Sequence, residues 1–140
     1  FRSDKYLVID DYAHHPTEIA ATLAAVANLE VKRKIVIFQP HRYSRTQLLL
    51  DDFAKSFARA DYLIITDIYA AGEQPIEGID SRVLLKKIRE YSPDKEVIYL
   101  TKESIAGHIQ TIIRPGDLVI TLGAGDIVRV ADALAEELKN

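Results

Sequence analysis

Four short polar segments hold most of the side chains in this chain that can do chemistry. They are Asp10-Asp11-Tyr12-Ala13-His14-His15-Pro16, Gln39-Pro40-His41-Arg42-Tyr43-Ser44-Arg45, the longer Asp67-Ile68-Tyr69-Ala70-Ala71-Gly72-Glu73-Gln74-Pro75, and Gly123-Ala124-Gly125-Asp126. Three of the four His residues fall in the first two, and only His108 lies elsewhere. Arg42 and Arg45 each carry a planar donor fork matched to a carboxylate or phosphate. With His41 they place three potential cations beside the start of a helical pattern, where free backbone N–H groups already favour anions. His14 and His15 can exchange a proton near neutral pH. Being adjacent, they tend to point in different directions, so at most one of them faces a ligand.

Each of these residues also has a plainer reading. The His pair can simply help cap the helix that follows. Arg42 and Arg45 can be surface side chains paired with Asp51 or Asp52, and Tyr69 and Glu73 can belong to a solvated turn rather than the edge of a site. Asp10-Asp11 can chelate Mg²⁺ with water completing the shell, or Asp11 can accept ribose hydroxyls. Asp11, His14, His15 and His41 together suggest a transition-metal site, but their spacing matches no recognised ligand motif, and no metal ligand is assigned. Gly123-Ala124-Gly125-Asp126 resembles a phosphate-binding turn that lacks its third glycine, because Val128 occupies that place. No GxxxxGK[ST] loop occurs, so the usual apparatus for holding a triphosphate is absent from this sequence.

The elements that position these segments alternate along the whole chain. Five short apolar runs, Tyr6–Ile9, Ile35–Phe38, Tyr62–Ile65, Val97–Leu100 and Leu118–Thr121, read as strands buried on both faces. Five helical stripes follow them: Ile19, Leu23 and Val26; Leu49, Phe53 and Phe57; Leu84, Ile88 and Tyr91; Ile105, Ile109, Ile112 and Ile113; then Ile127, Val130, Ala131, Leu134 and Leu138. Pro16 suits a first helical turn, Ser44 with Gln47 reads as a capping box, and Asp80, Ser104 and Asp126 are candidate N-caps. Pro115-Gly116 closes the fourth helix. The alternation predicts one α/β domain over residues 1–140: an open, mainly parallel, doubly wound (Rossmann-like) sheet with helices on both faces. In that architecture ligands bind outside the carboxyl ends of the strands, which is where the four polar segments fall.

Composition narrows the function classes. With 18 Lys and Arg against 21 Asp and Glu, the net charge of −3 gives no support for broad nucleic-acid binding. The absence of Cys excludes a disulfide scaffold, a thiolate zinc site and a cysteine nucleophile. No apolar run approaches the ~18 residues of a membrane span. The chain begins at Phe1 and contains no Met, so it is expected to be a domain of a longer polypeptide.

Asp10-Asp11-Tyr12-Ala13-His14-His15-Pro16-Thr17-Glu18 and Phe38-Gln39-Pro40-His41-Arg42-Tyr43-Ser44-Arg45-Thr46 resemble the C-terminal domain of the Mur ligases. Asp67 to Glu73 and Leu122-Gly123-Ala124-Gly125-Asp126-Ile127 continue the likeness in the same order. The second segment is most similar to the alanine-adding branch of the family. Ala13 and Ser44 depart from residues common there, Gly and Thr, and neither change is expected to alter a role.

The resemblance implies a cytoplasmic ligase of peptidoglycan synthesis, and hence of cell-wall biogenesis, cell shape and division. It implies an N-terminal UDP-binding domain and a central ATPase domain outside this chain, the latter holding ATP and Mg²⁺. ATP would phosphorylate the carboxylate of UDP-N-acetylmuramate, and the L-alanine amine would attack the acyl phosphate to form the amide. Asp11 then matches the acidic contact to the nucleotide ribose. Tyr12 and His14 match the amino-acid and muramyl end of the cleft, and His41, Arg42 and Arg45 match the surroundings of the alanine carboxylate and developing phosphate. His14, Arg42 and Arg45 are the expected catalytic residues, while His15, Tyr69, Gly123 and Asp126 match without a role. The competing expectations are a related murein-peptide or other Mur ligase C-terminal domain, a self-sufficient metal-dependent hydrolase, and a stand-alone module that captures anions with Arg42 and Arg45.

Overall fold

The short apolar runs become strands of one sheet in the computed structural model, which describes residues 1–139. The elements in order are β1 (Leu7–Asp11), α1 (Pro16–Val26), β2 (Arg33–Phe38), α2 (Tyr43–Leu48), α3 (Leu50–Lys55), β3 (Tyr62–Ile65), α4 (Ser81–Tyr91), β4 (Glu96–Tyr99), α5 (Lys102–Ile112), β5 (Asp117–Leu122) and α6 (Val128–Leu138). The strand order is β1-β5-β2-β3-β4, and every neighbouring pair of these strands is parallel. The expected open α/β sheet is thus present, and it is wholly rather than mainly parallel.

Period-2 alternation divides each strand between two apolar layers. Val36 and Phe38 of β2, Leu63 and Ile65 of β3, and Leu118, Ile120 and Leu122 of β5 face one layer, which α1, α3 and α4 cover through Ile19, Leu23, Phe53, Leu84 and Ile88. Ile35, Ile37, Ile64 and Val119 face the other, covered by Ile105 and Ile109 of α5 and Val130, Ala131 and Leu134 of α6. Both faces being buried is why these strands read as unbroken apolar runs.

Local signals were less faithful than the periodicity. Pro16 opens α1 and Asp80 caps α4, accepting from the N–H groups of Arg82 at 3.0 Å and Val83 at 3.1 Å. The Ser44–Gln47 capping box does not form, because Ser44 lies inside α2 and its hydroxyl donates to Glu73 instead. The cap of α5 is Thr101, three residues before Ser104, and that of α6 is Ile127, which frees Asp126 for other partners. The single second helix is interrupted at Leu49 (φ −111°), giving α2 and α3. Tyr91 ends α4 exposed rather than on its buried stripe. Among the described residues no helix is long and apolar enough to cross a membrane.

Because all five strands run the same way, their carboxyl ends share one rim. The crossover from β4 returns past β3 and β2 and inserts β5 between β1 and β2. The segments leaving β1, β5 and β2 therefore lie side by side, with α1 on one face and α6 on the other. Chain reversals of this kind open a crevice at the strand ends.

Candidate functional site

Two histidines from strands that are not neighbours meet at this rim. The imidazoles of His14, after β1, and His41, after β2, lie 5.5 Å apart between ring centroids. Tyr12 packs edge-on to His14 at 5.4 Å, and Tyr69 stacks on His41 at 5.6 Å with an interplanar angle of 24°. His15 caps α1 and is exposed, so of the adjacent pair it is His14 that turns toward His41.

His14 is held by its own segment. Its Nδ1 lies 3.0 Å from the Tyr12 carbonyl and 3.5 Å from Glu18 Oε1. A carbonyl only accepts, so this contact keeps the ring proton on Nδ1 and leaves the lone pair of the neutral imidazole on Nε2. Glu18 accepts from the backbone N–H groups of His15 at 3.0 Å and His14 at 3.3 Å. Those two bonds hold its carboxyl below the usual range.

His41 sits in a drier and more positive place. Burial first, then the charges of Arg45, His14 and Arg42, push its imidazole below the ordinary value against a weaker opposing pull from Glu73. Among the described residues its Nδ1 is buried without a hydrogen-bond partner, and so is Nη1 of Arg45. Among the described residues neither Arg42 nor Arg45 forms a salt bridge, and Asp51 pairs with Lys87 at 3.2 Å. The reading of the two arginines as surface partners of Asp51 or Asp52 is therefore overturned.

Arg42 carries the most unusual backbone at the rim. Its φ of 73° with ψ of 140° is a conformation that side-chain-bearing residues rarely adopt. The surroundings fix it: the Arg42 N–H donates to the Tyr69 carbonyl at 2.8 Å, and the Arg42 carbonyl accepts from the Thr46 hydroxyl at 2.8 Å. Tyr69 N–H in turn donates to the Pro40 carbonyl at 2.8 Å, so the segments after β2 and β3 continue pairing beyond the strands. The expected free helix start near Arg42 is already filled, since Glu73 accepts from the Ser44 N–H at 3.2 Å and from its hydroxyl. These bonds draw the Glu73 carboxyl below its usual range.

The remaining candidates divide. Asp10 and Asp11 belong to β1 itself rather than to a loop after it. Asp10 accepts from the Thr121 hydroxyl at 2.6 Å, whereas Asp11 Oδ1 accepts from the Ala13 N–H at 2.8 Å and from the Thr22 hydroxyl at 3.4 Å. Both Asp11 bonds fall on Oδ1, which leaves Oδ2 for an outside donor. Among the described residues no three His, Asp or Glu side chains are grouped to hold a metal ion. His108 is structural, 2.8 Å from the Tyr62 hydroxyl. Two rim residues had no task in the sequence reading: Gln39, placed in the second polar segment and found buried and polar at the end of an apolar run, and Lys102, which binds Asp126 at 2.7 Å. A polar residue closing a β-run was a usable signal for the first; nothing in the sequence marks the second.

A family model described as Mur ligase, glutamate ligase domain matches residues 1–125. The chain belongs to that family. This Mur ligase domain is 52% identical over 134 residues to the UDP-N-acetylmuramate–L-alanine ligase of Geotalea uraniireducens, a match covering 95% of the domain and 29% of that protein. Its fold matches the crystal structure of the UDP-N-acetylmuramate-alanine ligase of Thermotoga maritima with a TM-score of 0.78 at 26% identity, over 99% of the domain and 28% of that chain. The fold likeness extends to the Thermotoga maritima MurF ligase in complex with ADP, with a TM-score of 0.63 at 17% identity over 99% of the domain and 30% of that chain. The Mur ligase domain thus spans less than a third of the length of each of these proteins.

Proposed function

We propose that this Mur ligase domain is the C-terminal, amino-acid-binding and closing part of a cytoplasmic ATP-dependent enzyme that joins L-alanine to UDP-N-acetylmuramate in peptidoglycan synthesis. The observation that carries the reading is the pair of buried polar atoms without a partner among the described residues, His41 Nδ1 and Arg45 Nη1, at the rim where Arg42 is held in a strained backbone. An unpaired buried polar group costs about 1–3 kcal/mol. A ligand carboxylate placed there recovers that cost through charge-assisted bonds. The identity to alanine-adding ligases supports L-alanine as the source of that carboxylate.

Each residue then has a task. Arg45 and Arg42 receive the alanine carboxylate, Arg42 also opposes the charge that builds on the phosphate as it leaves, and His41 contributes a neutral hydrogen-bonding ring. His14 accepts a proton from the alanine ammonium at Nε2, because Nδ1 is committed to the Tyr12 carbonyl. Tyr12, 70% exposed, supplies an apolar wall on the muramyl side. Asp11 Oδ2 accepts a ribose hydroxyl of the nucleotide. ATP, with Mg²⁺ held mainly by a central domain of the parent protein, supplies the phosphoryl group that activates the acid. By closing over that domain, this one orients the amine and excludes water that would hydrolyse the acyl phosphate.

The test is Arg45→Ala in the parent enzyme. The KM for L-alanine should rise about 10- to 100-fold, the range of one lost charge-assisted bond, with the KM for ATP unchanged. An unaltered L-alanine KM removes Arg45, and with it the carboxylate subsite, from the rim.

A further inference from the structure

We propose that Tyr69, seated against the bare backbone of Gly125 and secured by the side-chain chain Gln39–Asp126–Lys102, is the positioning residue that aims His41 and Arg42. The proposal rests on the reading of the rim as an amino-acid subsite, and it concerns residues that no role has so far reached.

Gly125 is the first part of the device. A Cβ built there would lie 2.6 Å from Tyr69 Cγ and 2.7 Å from Gln39 Oε1, closer than side-chain carbons approach other atoms. The absence of that carbon lets the Tyr69 ring and the Gln39 amide settle on the same backbone. The requirement is one of space, because Gly125 is not among the glycines of positive φ.

The second part is the buried amide of Gln39, which is 1% exposed. Its Nε2 donates to Asp126 Oδ1 at 2.8 Å, and its Oε1 accepts from the Ile127 N–H at 3.3 Å. The other carboxylate oxygen of Asp126 accepts from Lys102 Nζ at 2.7 Å. Lys102 first, and Gln39 after it, keep the Asp126 carboxyl below the usual range, so it stays an acceptor. An ionised carboxylate can only accept, which fixes which end of the Gln39 amide faces which partner. The segment after β5 is thereby locked onto the segment after β2.

Tyr69 transmits this lock to the site by two routes. Its ring stacks on His41, and its carbonyl holds the Arg42 N–H at 2.8 Å in the strained conformation. No hydrogen bond of its hydroxyl is present among the described residues, so the ring and the main chain carry the effect. Lys102 lies on α5, on the opposite face of the sheet from α1, and the chain of contacts runs from there across the rim to Arg42.

The experiment is the titration of His41 by imidazole NMR in this chain, beside a thermal melt. Arg45, Arg42, His14 and Glu73 all face the ring electrostatically and are unchanged in every variant. Gly125→Ala and Tyr69→Leu should each unstack the ring, admit water to His41 and raise its pKa toward the ordinary value. Tyr69→Phe should titrate like the parent. Asp126→Asn, which keeps the shape but frees the Gln39 amide to flip, should move the titration in the same direction as Gly125→Ala. If Gly125→Ala lowers the melting temperature, Tyr69→Leu and Asp126→Asn supply the readout at a temperature where the chain is folded. A His41 titration that is the same in all the folded variants overturns the proposal. In the parent enzyme, Tyr69→Leu should raise the L-alanine KM more than it lowers kcat. A shifted titration with unchanged L-alanine KM would leave the positioning device standing and refute the amino-acid subsite, so the two failures are distinct.

Discussion

The His41 ring lies against Tyr69 at 5.6 Å on one side of its environment and 5.5 Å from His14 on another, so that three segments converge on one imidazole. His14 follows β1, His41 follows β2 and Tyr69 follows β3. The insertion of β5 between β1 and β2 brings the segment of Gly125 against Tyr69 and Gln39.

The depressed basicity of His41 makes stability depend on pH. The folded chain binds this proton less readily than the unfolded chain, whose imidazole titrates near ~6.5. The contribution is therefore fully present above that value and is lost as the pH falls below it. Glu18, Glu73 and Asp126, all held low, lose their contributions only in a separate window below the usual carboxylate range. Melting temperatures recorded from pH 7.5 down to 5 should fall, and His41→Asn should flatten that slope. Parallel curves for the two proteins would mean that His41 does not carry it.

The opposite pole of the sheet offers a stability test that leaves the site alone. Asp117, 2% exposed, accepts from Arg33 at 2.7 and 3.3 Å and from the Arg114 N–H at 2.9 Å. The bonded Asp117 carboxylate raises the Arg33 guanidinium further above its ordinary value. Asp117→Ala should cost about 2–3 kcal/mol, less than the ~3–5 of a fully buried pair because Arg33 keeps some water. Denaturant melts measure the loss. Since Asp117 starts β5 and the rim lies at its other end, about 17 Å away at the usual strand rise, the L-alanine KM of the parent enzyme should not change.

Glu73 ties the segment after β3 to the first turn of α2 through Ser44. Ala71 (φ 53°) and Gly72 (φ 86°) form the sharp turn that brings it there. Glu73→Ala should leave the melting temperature close to that of the parent, because the carboxylate is exposed and only local order is lost. Hydrogen exchange should quicken at the Ser44 and Tyr69–Glu73 amides and not in β2 or β3. Unchanged exchange at Ser44 would show that the clamp is not populated in solution.

The sheet was legible because burial on both faces writes a simple pattern. Tyr62–Ile65 has the same limits in sequence and structure, and the other strands differ by at most two residues at either end. The strand order was not legible, because nothing local in Leu118–Thr121 says that it pairs with β1 and β2. Helix starts failed where a tertiary partner outbid the local one: Ser44 went to Glu73, and Asp126 to Gln39 and Lys102. The rim residues were visible as a cluster of types, and their mutual distances were not. Lys102 was invisible, since a lysine in a first helical turn is ordinary until its carboxylate is found 24 positions away.

The central claim is that Arg45 and its neighbours serve the incoming amino acid rather than activation of the acid. The direct measurement is a partition experiment on the parent enzyme and its Arg45→Ala variant, given ATP and UDP-N-acetylmuramate with either hydroxylamine or L-alanine. Hydroxylamine traps an acyl phosphate as a hydroxamate without needing a carboxylate subsite. The account predicts hydroxamate at near parental rates in the variant, with amide formation at low L-alanine reduced at least tenfold. Amide formed at the parental rate, or hydroxamate and amide lost together, would contradict it.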